Sequence, residues 1–214
     1  NRIYVQDAVY DEFVQKFSAK VKTLKVGNGF DEGVVQGPLI ENAAVEKVER
    51  HVQDAIHKGG RIMVGGRKLD GQFFEPTVIA EARADMLCAR EETFGPFAPV
   101  FRFHKEQEAI DAANNTEFGL ASYFYSRDIG RIYRVSEALE YGMVGINVGI
   151  IATEHVPFGG VKQSGLGREG SHHGMEEYVE LKYLCIGDVL KFRLDEKIQE
   201  NLVLQDIARW RTAA

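Results

Sequence analysis

Between residues 100 and 146 the chain reads VFRFHKEQEAIDAANNTEFGLASYFYSRDIGRIYRVSEALEYGMVGI, and short apolar runs alternate in it with segments of helical spacing. The apolar runs predict three strands, at Val100–Phe103, Ser122–Tyr125 and Met143–Ile146. The intervening segments predict two helices, at about 106–113 and, after the cap Asp128, through Leu139. This alternation is typical of an α/β fold with an open, mostly parallel twisted sheet and helices on both faces.

The residues on the amino-terminal side extend the same alternation. Strands are predicted at Ile3–Val5, Arg61–Val64 and Phe74–Ile79, the last irregular or at an edge because it contains Pro76. A helix is predicted after the cap Asp7, and its apolar residues recur at helical spacing at Val9, Phe13, Phe17, Val21 and Leu24. A second helix carries an apolar stripe at Val45, Val48, Val52 and Ile56, and Gly59 and Gly60 end it.

Charge and composition exclude several classes of function. The 214 residues include 26 Lys and Arg against 32 Asp and Glu, a net charge of −6, and no block of like charge predicts binding to nucleic acid or to an anionic membrane. No apolar run reaches the roughly 18 residues of a membrane span. Cys88 and Cys185 form no CxxC pair, which favours a reducing cytoplasm and no metal site. The adjacent His172 and His173 are expected to point in different directions and to chelate poorly.

Several glycine and cysteine motifs have an ordinary structural interpretation. Residues 165–170 match GxGxxG, but no strand is predicted directly before them and no full helix directly after, so the match is interpreted as accidental. Both cysteines are interpreted as buried, inert thiols, Cys185 within an apolar strand. Residues 147–170 contain six glycines and predict a loop whose backbone approaches another surface closely.

The segment Glu91–Glu92–Thr93–Phe94–Gly95–Pro96 leaves two interpretations open. Adjacent carboxylates before a Gly-Pro turn are typical of a solvated loop. Alternatively, the turn holds one carboxylate where it accepts hydrogen bonds from sugar hydroxyls, while Phe94 presents a flat apolar face to a planar ring. The residues alone do not choose between these interpretations.

Three segments together resemble the aldehyde dehydrogenase superfamily in their order and spacing. They are residues 91–96, residues 114–120 (NNTEFGL) and residues 157–165 (PFGGVKQSG). Residues 138–142 and 167–171 look most like those of the succinate-semialdehyde dehydrogenases. The resemblance covers about residues 1–187 and corresponds to the carboxyl-terminal, catalytic portion of such enzymes.

The resemblance implies roles for individual residues. Glu92 matches the glutamate that binds the nicotinamide ribose of NAD or NADP, and Phe94 matches the aromatic packed beside the nicotinamide. Phe158 matches an aromatic that lines the aldehyde channel. Ala152 lies where semialdehyde enzymes usually carry a serine that binds the substrate carboxylate, and the neighbouring Thr153 is the alternative donor. The predicted strand at residues 178–186 matches one that joins subunits, which implies a homo-oligomer.

The resemblance also implies what these residues lack. In the family, the nucleophilic cysteine lies a few residues before an Asn-Arg pair, which here is Asn1-Arg2, and neither Cys88 nor Cys185 matches it. We therefore expect no catalytic nucleophile or base, and two regions: a catalytic domain at 1–187 without the cofactor domain, and an amphipathic helical tail at 188–214. The expected function is that of a fragment of an NAD(P)-dependent dehydrogenase that oxidises a (semi)aldehyde such as succinate semialdehyde, inactive alone. The alternative is a non-catalytic truncated paralogue that serves as an oligomerisation module.

Overall fold

A computed structural model describes residues 2–187 of the chain, and the predicted amphipathic tail at 188–214 lies outside these residues. Ten strands occur within the described part: Ile3–Gln6 (β1), Lys25–Val26 (β2), Val34–Gln36 (β3), Arg61–Val64 (β4), Thr77–Ala82 (β5), Phe97–Phe103 (β6), Phe118–Gly119 (β7), Ala121–Phe124 (β8), Met143–Ile146 (β9) and Val161–Lys162 (β10). The α-helices are Asp7–Val21 (α1), Asn42–His57 (α2), Glu106–Asn114 (α3) and Ile129–Ala138 (α4), and short 3-10 helices lie at Leu87–Ala89 and His173–Tyr178.

A four-stranded sheet with the order β1-β6-β5-β4 forms the centre of the molecule. β6 pairs in parallel with β1 and β5, whereas β4 joins the edge antiparallel. α1 covers one face, where Val14, Val78 and Val100 belong to one hydrophobic cluster. α2 covers the other face, where Val52, Ile79 and further apolar residues form a second cluster. The predicted α/β class, with a mostly parallel sheet and helices on both faces, is confirmed.

The apolar stripe predicted for α1 is confirmed at Val21, which is buried, and at Phe17, which packs against the same cluster, but it is wrong in the first two turns. Tyr10 and Val14 are buried against the sheet, whereas the side chains of Val9 and Phe13 are partly exposed. The reason is chemical as well as steric: the Tyr10 hydroxyl donates a hydrogen bond to the Val100 carbonyl at 2.9 Å and accepts one from the Glu81 amide at 2.6 Å. The two hydrogen bonds of the Tyr10 hydroxyl therefore favour burial of Tyr10 rather than of Val9.

Strand β5 contains a bulge at Glu81. Val78 and Ala80 face α1, but Ile79 and Ala82 face α2, so the alternation is shifted by one residue. Glu81 adopts a left-handed conformation, with φ of +56°, as one residue of a bulge often does. Its carboxylate bonds the Arg102 guanidinium, which also lies over the Tyr10 ring.

The strands of residues 100–146 do not all lie in one sheet. β6 already has a neighbour on each side, so no edge of it is open to β8. Instead β8 and β9 form a separate parallel pair, and β7 and β10 form a short antiparallel pair. The predicted elements therefore follow one another in the predicted order, with the short β7 in addition, while the strands are divided among one mixed four-stranded sheet and separate two-stranded pairs.

Two further predicted strands differ from the structure. The strand predicted at 74–79 is found at Thr77–Ala82, directly after Pro76, which has no amide hydrogen to donate. Residues 179–187 form no strand within the chain, since no described strand pairs with them, and their side chains are exposed. Cys185 is consequently exposed rather than buried, and the expectation of a buried thiol there is wrong.

Within residues 2–187, no helix combines the length and the apolar character needed to cross a bilayer.

Candidate functional site

The turn at residues 91–96 lies against α2 and is held there by His51. The imidazole of His51 has no exposed surface, and its Nδ1 lies 2.9 Å from the Thr93 hydroxyl. Its Nε2 lies 3.2 Å from Glu91 Oε2, and the Arg50 guanidinium donates to the same carboxylate oxygen at 3.0 Å. Alternate residues of the turn are thus tied to the helix.

The other residues of the turn, Glu92 and Phe94, are exposed. The Phe94 side chain is 79% exposed, and its backbone is left-handed with φ of +49°. A large side chain in this conformation is uncommon and is kept only where neighbouring contacts determine it. The predicted cofactor residues therefore lie together on the outer side of one constrained turn.

The pKa values of His51 and Glu91, the ionisable pair beneath this turn, are both lowered. The hydrogen bond from His51 is the largest cause that lowers the pKa of the Glu91 carboxyl, and the nearby Arg50 acts in the same direction against the effect of burial. Burial lowers the pKa of His51, and this effect exceeds the opposing influence of Glu91. At neutral pH the pair therefore consists of a neutral imidazole and a carboxylate.

The predicted substrate residues occupy a second loop. Phe158 is half-buried and exchanges two backbone hydrogen bonds with Glu169, at 2.8 and 2.7 Å. Ala152 and Thr153 are exposed, and the Thr153 hydroxyl donates to the carboxylate of Glu154 at 3.2 Å. These residues thus lie on one loop that is braced by residues 167–171.

Three of the motif segments meet around Lys162. Its ammonium group donates to the carbonyls of Asn114 and Thr116, at 3.0 and 3.3 Å, and forms an ion pair with Glu140. The Asn114 amide donates to the Ala138 carbonyl and its oxygen accepts from the Glu140 amide. The motifs at 114–120, 138–142 and 157–165 are therefore joined by hydrogen bonds that brace the second loop.

The two cysteines lie in different surroundings. Burial raises the pKa of the Cys88 thiol to about 11, so it stays protonated and inert at neutral pH. Cys185 is exposed in the segment without secondary structure. The prediction that the Cys88 thiol is buried is confirmed.

The histidine pair and the GxGxxG segment each have a defined geometry. The rings of His172 and His173 lie 3.9 Å apart, and His173 Nδ1 is 3.1 Å from Glu176. The expectation that the two side chains point apart is therefore wrong, because the 3-10 turn brings them together. The GxGxxG segment follows the two-residue strand β10 and precedes the short helix at 173–178, so it lacks the setting of a dinucleotide fingerprint.

The predicted residues thus fall into two groups, Glu92 with Phe94 on the turn held by α2, and Ala152, Thr153 and Phe158 on the braced loop. Sequence reasoning missed His51, which connects the first group to the core. A signal was present, because His51 follows Val48 by three residues and therefore lies on the same buried helical face. Sequence reasoning also missed Lys162, whose left-handed backbone no pattern indicates.

Comparison with known proteins gives one consistent result. The chain matches the aldehyde dehydrogenase family over residues 1–184. It is 61% identical over 191 residues to a 3-sulfolactaldehyde dehydrogenase of Pseudomonas putida, with 88% of this chain and 39% of that protein covered. It is 56% identical over 189 residues to the NADP(+) succinate-semialdehyde dehydrogenase of Escherichia coli, with 87% and 39% covered.

The fold agrees with these matches. The crystal structure of succinate-semialdehyde dehydrogenase from Burkholderia pseudomallei superposes with a TM-score of 0.86 at 59% identity, and the match covers 87% of this chain and 39% of that one. The chain thus spans about two fifths of the length of the relatives it matches.

Proposed function

Because the chain belongs to the aldehyde dehydrogenase family, we propose that it supplies a cofactor contact and one wall of the substrate pocket in an NAD(P)-dependent dehydrogenase. The substrate proposed is a semialdehyde such as succinate semialdehyde, which is oxidised to the acid. The observation that carries this proposal is the turn at 91–96, which turns Glu92 and Phe94 outward together.

The two side chains fit a nicotinamide nucleoside chemically. The Glu92 carboxylate has only acceptor oxygens and suits the two hydroxyls of a ribose. The exposed Phe94 ring offers an apolar face to a planar nicotinamide. NAD(P), when bound, supplies the hydride acceptor of the oxidation.

The second loop forms the substrate side of the proposal. Phe158 lines the aldehyde channel, and Thr153 offers the hydroxyl that Ala152 lacks for a substrate carboxylate. We propose that thiolate attack on the carbonyl lies outside what this chain supplies, since Cys88 is buried with a pKa raised to about 11 and Cys185, although exposed, does not match the position of the family's nucleophile. We therefore propose that the 214-residue chain alone is inactive.

A chimeric enzyme tests the proposal. Residues 1–187 replace the matched region of the E. coli succinate-semialdehyde dehydrogenase, and steady-state kinetics are measured with succinate semialdehyde and NADP. We expect turnover by the chimera and none by the isolated chain with NAD or NADP. Turnover by the isolated chain would contradict its inactivity, and a folded but inactive chimera would contradict the pocket assignment.

Within the chimera, Glu92→Gln tests the ribose contact. The substitution removes the charge of a hydrogen-bond acceptor, so we expect the KM for NADP to rise about tenfold. Glu137→Gln, at an exposed site in α4, is the matched control and should leave the KM unchanged. Equal KM values for the two variants would refute the cofactor role of Glu92.

We also propose that residues 178–186 join subunits. Tyr178, Leu181 and Tyr183 are 86%, 102% and 87% exposed in the single chain, and contiguous apolar exposure of this kind marks an association surface. Leu181→Lys should lower the mass measured by sedimentation equilibrium, whereas Leu166→Lys, at a leucine 95% exposed elsewhere, should not. An unchanged mass for Leu181→Lys would refute the proposal.

The same surface supports the alternative function, that of a non-catalytic oligomerisation module. The chimera distinguishes the two, because a module without a substrate pocket gives no turnover in the chimera but still self-associates through 178–186.

Both thiols of the described chain are free, which suits a reducing compartment, and the proposal accordingly includes a cytoplasmic location.

A further inference from the structure

His51 is a polar side chain on an otherwise apolar helix face. It lies between Val48 and Val52, both fully buried, in the cluster that joins α2 to the sheet. Burying an imidazole without partners is costly, because both ring nitrogens lose their bonds to water. The partners that meet this cost are Glu91 and Thr93, the residues immediately before and after Glu92.

We infer that His51 is a positioning residue for the cofactor contact: by holding Glu91 and Thr93, it fixes the turn from which Glu92 and Phe94 project. The inference deepens the proposed function and rests on it for the role of Glu92. The fixing of the turn itself is a property of this chain and is measured without a cofactor.

The bonding pattern defines one tautomer of His51. A carboxylate can only accept, so Nε2 carries the hydrogen and donates it to Glu91. Nδ1 is then an acceptor and receives the hydrogen of the Thr93 hydroxyl. Each ring nitrogen thus has a hydrogen-bond partner, and the two partners are the residues on either side of Glu92.

A second contact places the turn directly on α2. A Cβ added at Gly95 would lie 2.5 Å from the Val48 side chain, so the backbone after Phe94 touches the helix. Phe94 is left-handed between these two attachments. A conformation that L side chains rarely adopt persists when both neighbours are fixed, and His51 and Val48 provide the two fixed points.

Fluorine NMR of the 214-residue chain with 4-fluorophenylalanine at position 94 tests the inference directly. We expect one narrow resonance in the parent and in Thr93→Ser, which keeps the hydroxyl. Thr93→Val and His51→Phe, which remove the hydrogen bond from either side, should shift the resonance toward its value in urea and broaden it. Unchanged resonances in Thr93→Val and His51→Phe would overturn the inference.

A matched variant separates positioning from general stability. Val52→Ala removes buried volume from the same helix face without touching the turn, and it should lower the urea midpoint but leave the position-94 resonance unchanged. If the position-94 resonance of Val52→Ala shifted as far as that of Thr93→Val, any weakening of α2 would move the turn. That result would overturn the specific role of His51.

The unmodified chain provides a readout that does not depend on a variant folding. Nitrogen-15 NMR of the histidine ring should show the Nε2–H tautomer of His51 at neutral pH, and the Nδ1–H tautomer would overturn the bonding pattern.

The chimera links the turn to catalysis. Thr93→Val in the chimera should raise the KM for NADP about tenfold with a smaller change in kcat, within the range that a misplaced contact costs. A loosened turn with an unchanged KM would uphold the positioning of the turn and refute the cofactor role of Glu92, so the two failures are distinguishable.

Discussion

Residues 2–103 and residues 114–187 are held together by different means. In the first region, two hydrophobic clusters lie on opposite faces of the central sheet, and their members come from residues no later than Phe101. In the second region, α4 has no buried residue, and backbone approaches at glycines take over: a Cβ on Gly142 would lie 2.1 Å from the Gly159 carbonyl. Apolar side chains fill the first region, which has a close glycine approach at its sheet edge (Gly65, whose added Cβ would lie 2.2 Å from the Pro76 carbonyl), whereas glycine approaches and the hydrogen bonds of Lys162 hold the second.

The largest effect is expected from adding one methyl group to the second region. Gly142→Ala places a Cβ against backbone atoms of Gly159 and Gly160 that no rotamer change can move. We expect the free energy of unfolding to fall by about 3–5 kcal/mol, with faster hydrogen exchange in residues 157–170. Gly149→Ala, whose nearest atom is the Tyr125 hydroxyl at 3.8 Å, is the control. If both variants unfold at the parent's urea concentration, close glycine packing does not hold this region.

The next effect concerns the first region and a single buried hydroxyl. Tyr10→Phe keeps the ring but leaves the Val100 carbonyl and the Glu81 amide without their partner. The expected loss is about 1–3 kcal/mol in urea unfolding. Tyr133→Phe, at a side chain 65% exposed, should change stability by less than about 0.5 kcal/mol. Similar losses in both variants would show that the buried hydroxyl is not special.

A helix cap gives a smaller effect that is confined to the second region. The Asp128 carboxylate accepts a hydrogen bond from the Arg131 amide at 2.8 Å and begins α4. Asp128→Ala should cost about 1 kcal/mol, seen as faster amide exchange within 129–138. Asp128→Asn keeps an acceptor and should exchange like the parent. If the amides of 129–138 exchanged in Asp128→Ala as slowly as in the parent, tertiary contacts alone would maintain α4.

The smallest effect is a dependence of stability on acid. The folded pKa of His51 lies below its ordinary 6.5, so the unfolded chain takes up the proton first and the free energy of unfolding falls as the pH drops below that value. The lowered pKa of Glu91 acts in the same direction below 4.5, by less than about 1 kcal/mol because the Glu91 side chain is itself 43% exposed. Lys47 and Arg50 also disfavour the charged imidazole.

Urea midpoints between pH 7 and pH 5 measure this dependence. The slope in His51→Phe should be shallower than in the parent, whereas His155→Gln, at a side chain 81% exposed, should keep the parent's slope. A slope that His51→Phe leaves unchanged would assign the acid sensitivity to other groups.

Sequence reasoning succeeded where burial repeats along an element. The stripe of Val45, Val48 and Val52 predicted α2, and the bounds of β4 and β9 were found as predicted. It failed for the first two turns of α1, where Val9 and Tyr10 are both acceptable to an apolar face. The choice between them depended on a partner, the Glu81 amide, that is 71 residues away.

For the candidate site, the residues and their grouping on two loops came from a resemblance and not from periodicity. Composition left residues 91–96 open between a solvated turn and a ligand contact. The contact that fixes the turn is made by His51, 40 residues from Glu91, and local patterns contain no such information. The segment at 179–187 could not be settled either, since a strand exists only with a pairing partner.

The bulge at Glu81 has a consequence for how the chain tolerates length changes. If Glu81 instead took a regular strand position, Ala82 would face α1, and the path to Cys88 and onward to the 91–96 turn would start on the opposite side of the sheet. A one-residue insertion after Glu81 should therefore be far more harmful than an insertion in the exposed turn near Gly71. Whether this chain tolerates an insertion or deletion should therefore depend mainly on whether the change moves the following residues to the other face of the sheet. The side chain that is added or removed should matter less.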